Sequence, residues 1–105
     1  MAPRLSMLVA EAANHATACL SLRGRNLSHE WDAARSAWAE VETHGLPVTD
    51  DYVEEVRLLL EPGMHPPTRA EVRLVVRDLN TLVRCVEWAE MVTLASGPRR
   101  GVLHA

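Results

Sequence analysis

The chain has 105 residues, of which 14 are acidic and 11 basic, so its formal net charge is −3, and 48% of its residues are apolar. This length suits one domain, and the mixture of charged and apolar residues excludes an intrinsically disordered chain. The slightly acidic balance also argues against a protein that wraps nucleic acid over its whole surface.

Three clusters of turn-forming residues divide the chain into four segments with helical periodicity, and they lie at residues 23–27, 45–49 and 61–68. The first segment predicts a helix over residues 5–22. The second predicts a helix that begins after Ser28, a good N-cap residue, and ends before Gly45. The buried stripe predicted for this second helix is Trp31, Ala34, Trp38 and Val41.

The third segment predicts a short helix that Thr49 caps and Pro62 ends. The fourth begins with the capping-box sequence of residues 68–71 and meets no helix breaker before Gly97. It therefore predicts a helix of about 28 residues, on the order of 40 Å long.

Alternation with period two is nowhere sustained, so the sequence predicts an all-α fold. We expect a compact single domain that resembles a four-helix bundle and has a long C-terminal helix. This domain spans residues 1–96, and residues 97–105 form a flexible C-terminal tail.

The fourth predicted helix carries two apolar stripes. The first is Val72, Val75, Leu79, Leu82, Val86 and Ala89. The second is Leu74, Cys85, Trp88 and Val92. A helix on the outside of a bundle needs one apolar stripe. Two stripes indicate either a central helix surrounded by the other three or a seam for a second copy or another partner.

Four arginines follow one edge of the same helix: Arg69, Arg73, Arg77 and Arg84. One interpretation is an anion-binding strip for phosphate or RNA. The other is a solvated edge whose arginines pair with acidic residues of neighbouring helices. Four arginines without interleaved aromatic residues favour the second, and direct binding of nucleic acid is disfavoured.

Acidic residues concentrate around the loop between the second and third helices. The predicted patch is Glu30, Asp32, Glu40, Glu42, Asp50, Asp51, Glu54 and Glu55. Such a patch can steer a protein onto a partner with a basic surface. It can also be an ordinary solvated face with favourable charges at the start of a helix.

No catalytic, cofactor or metal motif is evident, and we expect no enzymatic activity, no cofactor and no metal site. His15 and Cys19 are four residues apart on the first helix, which suits a ligand pair, but no further ligands follow at motif spacing. Neither a nucleophile elbow nor a phosphate-binding glycine loop is present.

Two features bear on the origin of the protein. All basic residues are arginine, and lysine, isoleucine, phenylalanine and glutamine are absent, which indicates a gene from a GC-rich bacterium or one of its phages. The apolar run at residues 5–10 is too short for a signal peptide, and no segment approaches the roughly 20 apolar residues of a membrane span. We expect a cytoplasmic protein without membrane contact and with reduced cysteines.

A lone helical domain of this length, acidic and without catalytic residues, resembles the small inhibitors that phages and mobile elements encode, anti-CRISPR proteins among them. The resemblance implies a protein that binds and blocks a nucleoprotein effector complex in a bacterial host cell. It assigns no residue roles, because that group shares no motif. The favoured hypothesis is a protein-binding inhibitor or regulator, and the alternatives are a homodimeric structural or regulatory protein and an anion or RNA binder.

Overall fold

The computed structural model describes residues 4–46, 51–61 and 66–103, with side chains described through Leu94. Its helices are α1 (Leu5–Ala18), α2 (Gly24–His44), α3 (Asp51–Leu59) and α4 (Arg69–Leu103), and a 3-10 turn, Cys19–Ser21, follows α1. No strand occurs in the described residues. The prediction of an all-α, bundle-like fold is confirmed.

The helices form a chain of contacts in which α1 packs against both α2 and α4, and α3 packs against α4. The start of α1 meets the C-terminal half of α4, because Ser6 contacts Glu90 there. The end of α1 lies beside the start of α4, where Cys19 and Val72 line one pocket. The two helices are therefore antiparallel. Since α2 does not approach α4 within the described residues, α4 is not surrounded by the other three helices, and that interpretation of its two stripes is wrong.

One apolar core joins all four helices. The stripe predicted for α2 is buried, and so are the first five residues of the first stripe of α4, Val72 to Val86. From α3, the core receives Val53, Val56 and Leu60. These positions recur every three or four residues, so the helical period in the sequence correctly identified the buried faces.

The first turn of α1 is capped by a side chain from another helix. Arg4, at the N-cap position, makes no side-chain cap, although the first backbone N–H groups of a helix lack partners within it. The carboxylate of Glu90 accepts a hydrogen bond from the Ser6 backbone N–H at 3.3 Å and one from the Ser6 hydroxyl at 2.5 Å. A negative charge at this end of α1 also suits the helix dipole.

The junction between α1 and α2 differs from the sequence prediction. The α-helix ends at Ala18, and Leu22 is extended, so the helix predicted over residues 5–22 is too long. α2 begins at Gly24 rather than after Ser28. Leu27 lies one turn before Trp31 and packs against the core, which extends the buried stripe towards the N-terminus.

Both ends of α4 test the sequence prediction. The capping box at its start is confirmed: the Glu71 backbone N–H donates to Thr68 Oγ1 at 3.1 Å, and the Thr68 N–H donates to Glu71 Oε1 at 2.8 Å. The predicted end at Gly97 is wrong, because the helix continues to Leu103. A proline such as Pro98 removes one backbone donor and can bend a helix without ending it. The Thr49 cap of α3 lies outside the described residues.

Candidate functional site

A surface groove of about 360 Å³ lies between α2 and α3, and we call it the α2–α3 groove. Its apolar lining includes the buried Trp38 and Leu60 and the exposed Leu58. Its charged lining residues are Arg35, Glu42, Arg57 and Glu61. The groove therefore offers an apolar base with charged groups of both signs around it.

Glu42 is at the centre of a hydrogen-bond network in this groove. Its Oε1 accepts from the buried Trp38 indole Nε1–H at 2.7 Å and from Arg57 Nε at 2.9 Å. Arg57 also pairs with Glu54 through its Nη1. The hydrogen bond and charge of Glu42, with a smaller effect of Glu54, raise the pKa of Arg57 above its ordinary value. Glu42 thus satisfies a buried indole as well as carrying surface charge.

Arg35 ties the end of α3 to α2. Its Nε donates to the Leu60 carbonyl oxygen at 2.8 Å, and its Nη1 donates to Asp32 Oδ1 at 2.6 Å. The last carbonyls of a helix have no partner within the helix. Arg35 therefore caps α3 from outside and holds one wall of the groove in place.

The structure does not gather the eight predicted acidic residues into one compact patch. Glu30 is half-buried at the contact of α1 and α2, where it pairs with His15. Glu40 precedes Glu42 by two residues, which places the two side chains on opposite sides of α2. Nearness to one loop in the sequence does not separate the faces of a helix, so these residues do not all share one face; that they bind a partner stays a prediction.

Most of the other predicted acidic residues are in ion pairs, which are Asp32 with Arg35, Glu54 with Arg57, and Glu55 with Arg77. Asp51 is exposed at the start of α3, and Asp50 lies outside the described residues. Even so, the described part of residues 24–61 holds eight acidic side chains and three arginines. An excess of five negative charges therefore remains on α2, α3 and the residues that follow.

All four arginines of the predicted strip are exposed on α4. Arg77 pairs with Asp78 Oδ1 at 3.2 Å and with Glu55 Oε1 at 3.6 Å. Within the described residues, Arg73 and Arg84 form no ion pair, and the same holds for Arg69. The prediction that the strip pairs with acidic neighbours therefore describes only one of its members.

The second stripe of α4 divides into two halves. Leu74 and Cys85 are half-buried, whereas Trp88 is 67% exposed and Val92 43% exposed. α3 is nine residues long and packs against α4, where Glu55 lies beside Arg77. The C-terminal half of the predicted seam is thus open to solvent.

Several residues were missed by the sequence analysis. Met91 and Leu94 are as exposed as Trp88, and the spacing of Met91 from Trp88, three residues, is the signal that could have identified it. Asp78 is fully buried, and its Oδ2 has no partner within the described residues. Position 78 fits the helical spacing of the second stripe, four residues after Leu74, but a carboxylate there was not predicted.

Within the described residues, His15 and Cys19 are joined by carboxylates rather than by further His or Cys side chains. His15 contacts the carboxylates of Glu30 and Glu11, the latter at 4.0 Å. Among the described residues, no group of three or more His, Cys, Asp or Glu side chains could hold a metal ion. Burial, and then the negative charge of Glu30, raise the pKa of Cys19 to about 11, so its thiol stays protonated at neutral pH.

No helix in the described part of the chain has the length and apolarity needed to cross a membrane. Comparison of the chain with family models, with curated proteins and with solved structures finds no match.

Proposed function

We propose that this chain is a small helical binding protein that inhibits or regulates a protein complex that handles nucleic acid. The α2–α3 groove would receive part of the basic surface with which that complex holds its nucleic acid. This is the function that the resemblance to anti-CRISPR proteins implies.

The observation that supports the proposal is the excess of five negative charges on the elements that form a groove with an apolar base. Basic nucleic-acid-binding surfaces attract such a charge from a distance and gain specificity from complementary contacts. Leu58, which lines the groove, is 68% exposed and offers apolar area to a partner there. The charge would then raise the rate at which the two proteins associate, and the apolar contact would lower the rate at which the complex dissociates.

The test is a capture experiment with the tagged chain in lysate of a GC-rich bacterium with active CRISPR and restriction systems. Nuclease is present throughout, and bound proteins are identified by mass. We expect a stoichiometric complex with a nucleic-acid-binding protein, whose activity on nucleic acid the purified chain then reduces. Capture without loss of that activity, or no nuclease-resistant complex, contradicts the proposal.

Charge reversal locates the binding surface. In the double variant Glu54→Lys/Glu61→Lys, Glu61 lines the α2–α3 groove and Glu54 pairs with the lining residue Arg57, so the variant should weaken binding at least about tenfold. The control Glu11→Lys/Glu87→Lys makes the same change in net charge at exposed positions on α1 and α4. Equal binding of the two variants would show that the groove is not the site. Circular dichroism of both verifies that helicity is unchanged.

A further inference from the structure

The outer side of α4 combines arginines with large exposed apolar side chains. Arg77, Arg84, Trp88 and Met91 follow at intervals of seven, four and three residues, which places them along one side of the helix. Arg73, one turn before Arg77, extends the same line. Together with Val92, we call these residues the α4 outer face.

The apolar half of this face holds the exposed tryptophan among the three in the chain. Trp31 and Trp38 are each 4% exposed, whereas Trp88 is 67% and Met91 68% exposed. Apolar side-chain area exposed to water is unfavourable, and a partner that covers it gains the corresponding free energy. A clustered tryptophan and methionine on a surface are typical of a protein contact, because indole rings dominate binding energy and methionine adapts to a partner's shape.

The arginines of the α4 outer face can bind carboxylates of a partner. Arg73 and Arg84 form no ion pair within the described residues, and only Arg77 is already paired, with Asp78 and Glu55. A guanidinium binds a carboxylate through two parallel hydrogen bonds, which gives direction as well as attraction.

We infer that the α4 outer face binds an acidic amphipathic helix of a partner protein, with apolar side chains against Trp88 and Met91 and carboxylates against Arg73 and Arg84. This surface and its partner's charge differ from those of the α2–α3 groove. The binding mode is that of a helix which lays its apolar stripe on a complementary face.

Charge complementarity selects this occupant over a second copy of the chain. Two copies paired in parallel would place arginine against arginine. Two copies paired antiparallel would place the arginine half of one helix against the apolar half of the other. In neither arrangement does the α4 outer face itself, which holds no acidic residue, supply carboxylates to Arg73 and Arg84, whereas an acidic amphipathic helix carries both carboxylates and apolar side chains.

The probe for the test is a fluorescein-labelled synthetic helix of about 18 residues, with leucines on one stripe and glutamates beside it. A matched peptide carries lysine in place of every glutamate. Fluorescence anisotropy measures binding to the full chain. We expect the glutamate peptide to bind at least about tenfold more tightly than the lysine peptide. The emission of the exposed Trp88 should shift to shorter wavelength when the peptide covers it.

Two variants assign the contact to this face. Trp88→Ala and Arg84→Glu should each weaken binding of the glutamate peptide about tenfold or more. The control Arg25→Glu makes the same charge change at an exposed position on α2 and should leave affinity within about twofold. Glu54→Lys/Glu61→Lys should also bind the peptide normally, which separates this inference from the proposed function.

Four results would overturn the inference. The first is that the chain binds both peptides equally tightly or binds neither peptide. The second is that Arg84→Glu binds the glutamate peptide as tightly as the unaltered chain does. The third is a dimer in light scattering that Trp88→Ala dissolves, which identifies a second copy as the occupant. The fourth is tighter binding of single-stranded RNA or of anionic lipid vesicles than of the glutamate peptide, again lost in Arg84→Glu.

Discussion

Cys19 lies in the core at the end of α1, where the protein disfavours its thiolate. Its side chain is buried among apolar residues, and Glu30 adds a nearby negative charge. Burial and this charge raise the pKa of Cys19 from 9.0 to about 11. Cys19 therefore packs as a small apolar residue with a protonated thiol.

The raised pKa predicts a loss of stability in alkaline solution. Below pH 9, the folded and unfolded chains both keep the Cys19 proton, so its contribution is fully present. Between about pH 9 and 11, the unfolded chain loses the proton while the folded chain keeps it, which favours unfolding. The free energy of unfolding should fall by about 2 kcal/mol across this window, measured by urea denaturation at several pH values.

The control for this prediction is Cys19→Ala, which removes the titrating group. Its free energy of unfolding should vary less between pH 9 and 11 than that of the unaltered chain. If both proteins lose stability equally, other groups cause the alkaline loss. Ellman's reagent gives an independent check, since the half-buried Cys85 should react before Cys19.

At the scale of single residues, sequence predicts local contacts and fails for distant ones. The capping box joins Thr68 to Glu71, three positions apart, and its geometry follows from the helix itself. The cap on α1 joins Ser6 to Glu90, 84 positions apart, and it exists only because α1 and α4 pack antiparallel. No pattern within either helix indicates that partnership.

At the scale of elements, the same limit explains the error at the start of α2. Ser28 is a good N-cap residue, and Gly24 resembles the glycine that follows a helix, so local signals placed the boundary five residues late. Leu27 packs on the core, which favours a start of α2 before Leu27. Gly24 then begins α2 with φ of 60°, in the left-handed region that other residues occupy only with strain.

This boundary predicts opposite effects for two neighbouring alanine substitutions. Gly24→Ala should lower the free energy of unfolding by about 1 kcal/mol, because an added Cβ meets no atom within 4 Å but strains the positive φ. Ser28→Ala should be neutral or slightly stabilising, since Ser28 lies inside the helix and is exposed. Urea denaturation compares the two. The reverse order of effects would place the N-cap at Ser28.

The two stripes of α4 show what periodicity can and cannot resolve. The spacing identified the core stripe correctly, from Val72 to Val86. Which part of the second stripe is covered depends on how far α3 reaches along α4, and α3 ends after nine residues. The exposure of Trp88 thus depends on packing between helices, which the period of one helix does not contain.

At the scale of the whole molecule, charge and apolar exposure divide between two sides. α2 and α3 carry the negative excess, whereas arginines and exposed apolar side chains lie along the outer side of α4. In the sequence, the arginine strip and the Trp88 seam stand as separate features of α4. Only the helix geometry shows that Arg84 and Trp88, one turn apart, belong to one face.

The single core that joins all four helices predicts cooperative unfolding of the whole molecule. Leu79 is fully buried and Leu94 is 66% exposed on the same helix, so Leu→Ala at each position compares the same chemical change in two environments. Leu79→Ala should lower the free energy of unfolding by about 2–5 kcal/mol, because it removes buried apolar volume and leaves a cavity. Leu94→Ala should cost less than about 1 kcal/mol.

Two spectroscopic signals can show which helices unfold together in Leu79→Ala. Far-ultraviolet circular dichroism reports on all four helices, and tryptophan fluorescence reports chiefly on the burial of Trp31 and Trp38 in α2. In the described part of the chain, α2 is linked to α4 only through α1 and the shared core. If both signals of Leu79→Ala change at the same urea concentration, the substitution in α4 has destabilised α2 together with α4. A fluorescence transition left at its original urea concentration would show instead that α1 and α2 fold as a unit without α4.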